Sequence, residues 1–141
     1  MKVNFIYNKE KDIWCLLNKG KSSNNSQTPT KQYKQLVAGY GEKPTLGNTS
    51  VFIEKYIADR NIDLQEYVKK FQKDWESISQ EYQKRAETIF GISLSDDITA
   101  YLTINGRCPY NIENNCFYVS VPGFSARRIA MHELWHFYTW Y

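Results

Sequence analysis

Cysteine is scarce in this sequence of 141 residues, and the three that it has form no recognisable pattern. The number of cysteines is odd, and no two of Cys15, Cys108 and Cys116 have C-x2-C spacing. Both facts argue against a disulfide framework and against a cysteine zinc knuckle. Cys108 and Cys116 can still face each other across a hairpin. We expect reduced thiols that are mostly packed inside the fold.

Long apolar runs are also missing. No stretch approaches the roughly 20 residues that cross a bilayer, and residues 1–8 lack the apolar centre of a secretory signal. The net charge is only +3, and the lysines are spread from Lys2 to Lys84. We therefore expect a cytoplasmic protein with no membrane contact and no nucleic acid partner. The length and the 16% aromatic content fit one domain with a sizeable core.

Histidine occurs only twice, and both copies belong to the motif HExxH at residues 132–136. On an α-helix, residues four positions apart lie one above the other, so the rings of His132 and His136 can reach one metal ion. Glu133 then points to nearly the same side and can hold a water that the metal activates. The motif indicates a hydrolytic zinc site. The alternative is a pair of packed histidines on an aromatic helix.

The flanks of the motif favour an uninterrupted helix. Residues 129–131 and 137–138 are uncharged, and no proline occurs from position 125 onwards. In these features the segment resembles the zincin-like metallopeptidases. The resemblance implies that His132 and His136 bind Zn²⁺, that Glu133 acts as general base, and that the substrate is a peptide or a protein.

A catalytic zinc ion needs three protein ligands in addition to water, and the motif supplies two. The metzincin pattern has glycine where this chain has Thr139, and a third histidine at position 142, beyond the last residue. We therefore expect either a domain that lacks a C-terminal part or a third ligand from upstream. The upstream candidates are Asp96, Asp97, Glu113 and Cys116.

The first 50 residues predict an N-terminal hairpin and a flexible polar loop. Residues 3–7 and 13–17 are typical of two short strands, although the second segment is also compatible with a helix. Residues 20–30 are too polar to bury and predict a mobile surface loop, with a lid or a processing site as the alternative. A short helix is expected at residues 31–38.

Two further helices are expected before the strands. One runs from residue 51 to about residue 60, with Ser50 as its N-cap. The other is long, covers residues 64–90 with Asp63 as its cap and Gly91 as its end, and measures about 40 Å. Its single apolar stripe needs a partner surface, for which a sheet is favoured and a dimer interface is the alternative.

Two strands are expected after the long helix, at residues 98–104 and 116–121, paired in antiparallel fashion. The order of a long helix, two strands and the HExxH helix is again similar to the upper half of the zincin fold, in which the strand nearest the cleft pairs with extended peptide. That resemblance implies substrate binding by Phe117, Tyr118 and Val119. An ordinary paired strand is the alternative.

The last helix carries three more expectations. Ser125 is its predicted N-cap. Arg127 and Arg128 lie in the first turn, where positive charge opposes the helix dipole, and we expect them to be solvated or paired with acidic residues such as Asp96 and Asp97. Exposed aromatic residues would be adhesive, so we expect a partner, a dimer or a missing segment to cover Trp135, Phe137, Tyr138, Trp140 and Tyr141.

Together these patterns predict one α+β domain over residues 1–141, zincin-like and lacking a C-terminal part. Residues 1–50 form the hairpin and polar loop, and residues 51–141 form a helix-strand-strand-active-helix core. In it a long backing helix and the HExxH helix pack on a small mixed or antiparallel sheet. The predicted function is zinc-dependent peptide hydrolysis. The alternatives are a noncatalytic zincin-fold module that binds a protein, a pseudoenzyme with an incomplete metal site, and a toxin or regulatory protease with one specific target.

Overall fold

The computed structural model describes residues 1–140, so Tyr141 of the predicted aromatic run lies outside the described residues. Within that range the chain forms six helices and four strands. In chain order they are β1 (Val3–Ile6), α1 (Lys9–Lys19), α2 (Lys31–Tyr40), α3 (Leu46–Asp59), α4 (Leu64–Glu76), α5 (Ser79–Phe90), β2 (Ile98–Thr103), β3 (Tyr110–Asn111), β4 (Cys116–Ser120) and α6 (Arg127–Thr139). The predicted α+β class is confirmed. No helix of residues 1–140 has both the length and the apolar character that crossing a bilayer requires.

The sheet is small and mixed, with the strand order β1-β2-β4-β3. β1 and β4 both pair with β2 in parallel, whereas β3 pairs with β4 in antiparallel fashion. The predicted antiparallel pairing of the strands now seen as β2 and β4 is therefore wrong. The reason lies in the connection between them. After β2 the chain reverses direction to form β3, which lies on the side of β4 away from β2, and it reverses again to form β4 parallel to β2.

The predicted N-terminal hairpin is also wrong, whereas the alternative of a helix for its second segment is confirmed, because residues 13–17 belong to the helix α1. Asn8 has an extended conformation, and its side chain accepts a hydrogen bond from the backbone N–H of Lys11, which starts the helix. Asp12, Cys15 and Leu16 are buried, at the spacing of one helix face. β1 finds its partner in β2, far along the chain.

The expected helix over residues 64–90 is divided into α4 and α5. Its ends are confirmed: the Asp63 side chain caps α4, and Gly91 ends α5 in the left-handed region with φ 71°. The division falls where Ser77 donates its hydroxyl to the carbonyl of Asp74 at 2.6 Å and Ile78 has φ −124°. A serine side chain that takes a backbone carbonyl competes with the helix, which explains the interruption.

The two shorter helices are found close to their predicted positions. α2 begins at Lys31 as predicted, with Thr30 as its N-cap, and continues to Tyr40. α3 starts at Leu46, five positions earlier than predicted, because Thr45 and not Ser50 is its N-cap and forms a capping box with Asn48.

Helices from both halves of the chain pack on the sheet. α1 packs on β2, α4 on β1 and α6 on β4, while α5 packs on α6. Phe5 of β1 lies edge-on to both Phe71 and Phe117, with ring centroids 6.3 and 6.4 Å apart. Helices from both halves therefore share one hydrophobic core that includes the sheet.

A buried carboxylate joins α1 to the end of β2. Asp12 is 0% exposed and accepts hydrogen bonds from the Tyr7 hydroxyl at 2.7 Å, the Thr103 hydroxyl at 2.6 Å and the Ile104 backbone N–H at 3.1 Å. Burial raises the pKa of Asp12, and these hydrogen bonds oppose that rise. Asp12 therefore fixes how α1 lies on the sheet.

We expect Asp12→Ala to lower the free energy of unfolding by about 3 kcal/mol, because it leaves two buried donors and the half-buried Tyr7 hydroxyl without their acceptor. Urea unfolding at neutral pH measures the change. Glu10→Ala is the matched control, since Glu10 lies in the same first turn and is exposed. Equal destabilisation by the two variants would contradict the structural role of Asp12.

Candidate metal centre

The HExxH motif lies on α6, whose buried side is formed by Ala130, Glu133, Leu134, Phe137 and Tyr138. Ser125 accepts a hydrogen bond from the Arg127 N–H at 3.2 Å, but the N-cap is Ala126, one residue later than predicted. On the other side of the helix His132 is exposed and His136 is half-buried. Glu133 is thus the buried residue of the motif, and the two histidines are more accessible.

The two imidazoles are close to each other and steeply inclined. Their ring centroids lie 5.1 Å apart and the ring planes make an angle of 84°. Two imidazoles that bind one tetrahedral zinc at Zn–N distances of about 2.1 Å have ring centroids about 5 Å apart. Burial, and then the neighbouring His132, lower the pKa of His136, which favours the neutral form that binds metals. The separation of the rings is therefore the one that a shared zinc ion requires.

Glu133 is a buried carboxyl group with incomplete hydrogen bonding. It is 6% exposed, and its Oε2 has no hydrogen-bond partner in the described part of the chain. Burial raises the pKa of Glu133 to about 7. Folded proteins seldom leave such an oxygen unpaired, so a water or cation beside it would satisfy a real deficit.

One cavity of about 660 Å³ brings the three motif residues together. Its walls come from three parts of the chain: the end of α1 with the loop after it, the segment that leads into β3, and α6. The lining residues are Lys19, Ser23, Asn24, Asn25, Arg107, Cys108, Pro109, Tyr110, His132, Glu133 and His136. His132, Glu133 and His136 thus line one cavity.

Two residues of this cavity, Cys108 and Tyr110, were not predicted from the sequence as site residues. The Tyr110 ring stacks on the His136 imidazole, with centroids 4.0 Å apart and planes at 9°. The Cys108 Sγ lies 3.3 Å from the Ser120 hydroxyl, and burial raises the pKa of this thiol, with a further contribution from Glu133. No strand is predicted at residues 110–111, so the sequence carries no local signal for either residue. β3 and the segment before it bring them to the cavity.

The predicted upstream ligands do not reach this cavity. None of Asp96, Asp97, Glu113 and Cys116 is among its lining residues, and Cys116 lines a neighbouring cavity of about 500 Å³ on the other side of Tyr110. Asp97 accepts a hydrogen bond from the Lys2 backbone N–H at 2.8 Å. Within residues 1–140 no three His, Cys, Asp or Glu side chains are grouped so as to hold a metal. The donors assembled here are the two imidazoles, with Glu133 beside them.

The predicted substrate-binding residues Phe117, Tyr118 and Val119 are 0%, 4% and 0% exposed and lie on an inner strand. The edge strand of the sheet on this side is β3, and the Tyr118 N–H already donates to the carbonyl of Pro109 at 2.9 Å. A role of these three residues in substrate binding stays a prediction. The pairing with β3 leaves little free backbone at Phe117 and Tyr118 for a substrate.

The basic residues at the start of α6 are paired with an acidic residue or exposed, as predicted, but the acidic partner of Arg127 is Asp74. Arg127 donates from Nε to the carbonyl of Asp74 at 3.3 Å, and its Nη2 lies 3.9 Å from the Asp74 carboxylate. Pairing with Asp96 or Asp97 is therefore wrong for Arg127. Arg128 is exposed, as expected for a solvated residue.

The aromatic residues of α6 are partly covered by the chain itself. Phe137 and Tyr138 are buried, and Phe90 of α5 contacts both Trp135 and Tyr138, with ring centroids 4.5 and 5.6 Å apart. Trp135 remains 42% exposed and Trp140 68%. The surface that a partner would have to cover is thus smaller than predicted and centres on these two tryptophans.

No family model matches this chain, and neither the curated proteins nor the solved structures include a significant match to it. Its chemistry has to be inferred from its own residues.

We expect Glu133→Gln to stabilise the metal-free protein increasingly as pH rises. The folded-state pKa is raised, so this contribution to stability is complete below the ordinary pKa of glutamate, near 4.5, is lost as the pH rises from there to about 7, and stays lost at higher pH. The variant has no proton to lose. Its gain over the wild type should grow by about 2 kcal/mol between pH 5 and pH 8.

Urea unfolding with a chelator present measures this difference. Glu42→Gln is the control, because Glu42 is exposed in the loop before α3. If Glu42→Gln gained as much stability with rising pH, or if Glu133→Gln gained none, the assignment of this pH dependence to Glu133 would be wrong.

Proposed function

We propose that this protein is a zinc-dependent peptidase of the zincin type, with His132 and His136 as metal ligands and Glu133 as general base. The observation that carries the proposal is the buried Glu133 oxygen without a hydrogen-bond partner, on the wall of the cavity that both imidazoles line. Four buried side-chain atoms of the described residues lack a partner, and among them only the Glu133 oxygen belongs to a residue of this wall. A peptide or protein is the substrate class.

The donor set fits zinc in its chemistry. Two imidazoles, one of them with a lowered pKa, are the nitrogen ligands that zinc prefers, and the cavity leaves space for water and substrate beside them. Zinc, when bound, supplies a Lewis acid that polarises the scissile carbonyl and makes water a stronger acid. The Tyr110 ring, stacked on His136, limits how that imidazole can turn.

Glu133 performs the proton transfers in this mechanism. Its carboxylate accepts a proton from the attacking water as the oxygen forms its bond to the carbonyl carbon. The same proton then passes to the nitrogen of the leaving amine as the peptide bond breaks. In the metal-free protein burial raises the pKa of Glu133 to about 7, and a zinc ion beside it would favour the carboxylate form that accepts the proton.

The order of the elements supports a zincin-type assignment. Two helices, α4 and α5, stand where one backing helix was predicted, a mixed sheet follows, and α6 packs on β4. The strand nearest the cavity is β3, and no described strand pairs with its outer side. An extended peptide would find free backbone groups along β3 more readily than along β4.

A noncatalytic protein-binding module is the second candidate. It is favoured by the donor set, which in residues 1–140 contains two metal-binding side chains on one helix and no third in the same group. The exposed Trp135 and Trp140 would then belong to an interface. Zinc content and hydrolysis separate the two candidates.

We expect the purified chain to bind about one zinc ion, measured by atomic emission after dialysis, and the double variant His132→Ala/His136→Ala to lose it. Glu133→Gln should keep the zinc and lose peptide hydrolysis by at least about a hundredfold, since general-base catalysis contributes about that much. Hydrolysis of a fluorogenic peptide library measures the second effect.

Glu42→Gln is again the control and should keep both zinc and activity. Circular dichroism checks that each variant is folded. A folded wild type without zinc would support the noncatalytic module, and full activity in Glu133→Gln would remove Glu133 from the mechanism.

A further inference from the structure

We propose that the wall of the cavity opposite α6 binds a carboxylate group of the peptide substrate, with Lys19 as its charged partner. This inference rests on the proposed peptidase function and names the substrate class that the site prefers. The wall consists of Lys19 at the end of α1, the loop tip Ser23, Asn24 and Asn25, and Arg107. We call these five residues the basic wall.

The loop of the basic wall is held in place by the rest of the chain. Its base is closed by a hydrogen bond of 2.8 Å from the Thr30 N–H to the Gly20 carbonyl. Arg107 reaches across it and donates to the Lys19 carbonyl at 2.7 Å and to the Thr28 carbonyl. These contacts fix both ends of a segment that composition alone predicts to be mobile, so the wall is preorganised for a ligand.

The positive charges of the basic wall have no acidic partner in the described residues. The ion pairs of residues 1–140 are all made by other side chains: Lys9 with Glu54, Lys69 with Glu66, Arg85 with Glu81, and Arg127 with Asp74. Arg107 uses its guanidinium on backbone carbonyls, which leaves its charge uncompensated. Among the described residues that line the cavity, Glu133 alone is acidic. A half-enclosed cavity with two unpaired cations attracts anions.

Lys19 is placed to select among substrates. It is half-buried and lines both the site cavity and the neighbouring cavity beyond Tyr110. An ammonium group there can meet a substrate carboxylate, while Asn24 and Asn25 can add amide donors. The carboxylate has two sources in a peptide, an acidic side chain or the chain terminus, and both present the same group.

The test uses four fluorescent peptides of one core sequence that carry Glu or Gln at one position and a free or an amidated C-terminus. Binding is measured by anisotropy with the full chain carrying Glu133→Gln, zinc added, so that no peptide is consumed. We expect the peptide with the preferred carboxylate to bind about fivefold more tightly than the uncharged one, and the preference to weaken with salt. The Glu/Gln and acid/amide comparisons identify the source.

Variants then assign the preference to Lys19. Lys19→Gln should abolish it and Lys19→Arg should keep it, because the charge alone is at stake. Lys21→Gln is the matched control: Lys21 is two residues further on, exposed, and outside the cavity wall. Equal binding of charged and uncharged peptides, absence of peptide binding, or a preference that survives Lys19→Gln would each overturn the inference.

Hydrolysis by the wild-type chain separates this inference from the peptidase proposal. Cleavage of charged and uncharged peptides at equal kcat/KM, with equal binding, would overturn the carboxylate preference and leave the peptidase function standing. A Lys19-dependent preference in binding without any cleavage would overturn the peptidase function and support the basic wall as a peptide-binding surface.

Discussion

The burial of a carboxyl group on the inner side of α6 is the constraint that gives the site its character. α6 packs closely on its neighbours because Ala126 and Ala130 are small and fully buried, and the Tyr82 hydroxyl donates to the Met131 carbonyl at 2.8 Å. That packing holds Glu133 away from solvent. A pKa raised to about 7 means that ionising Glu133 costs roughly 3 kcal/mol more in the folded protein than in the unfolded chain. The fold offsets this cost through apolar packing elsewhere, which is a pattern typical of functional sites.

The elements that the sequence predicts correctly are those with local signals. Asp63 begins a helix because its side chain caps it, and Gly91 ends one because it adopts positive φ. α1 was mistaken for a strand because residues 13–17 are a short apolar run, which helices and strands share. The partner of Asp12 that settles the matter, Thr103, lies 91 positions away. The break between α4 and α5 was missed because the apolar stripe continues through it.

The residues of the site likewise fall into two groups, those that a local sequence pattern identifies and those that only the tertiary structure brings to the cavity. HExxH is a pattern of five consecutive residues, and a helix of any kind would bring His132, Glu133 and His136 to neighbouring positions. Tyr110 and the basic wall have no such pattern. They reach the cavity because β3 descends beside β4 and because Arg107 ties the loop to the end of α1. Only the tertiary structure joins them to the motif, and for that reason the sequence indicates a chemistry more readily than a substrate.

The position of Lys19 relative to Glu133 depends on a short chain of contacts through the sheet. Lys19 belongs to α1, which Asp12 attaches to the end of β2. Glu133 belongs to α6, which packs on β4. β2 and β4 are joined by a parallel register that runs from Thr99 and Cys116 to Thr103 and Ser120. β4 is buried on both faces over residues 116–119, with Phe117 and Val119 in one cluster and Cys116 and Tyr118 in another. A shift of one residue would exchange these pairs between two differently packed faces, so the register fixes the two walls relative to each other. Opposite ends of the chain are thereby held at a fixed separation, which the proposed binding of a carboxylate at one wall and hydrolysis at the other would require.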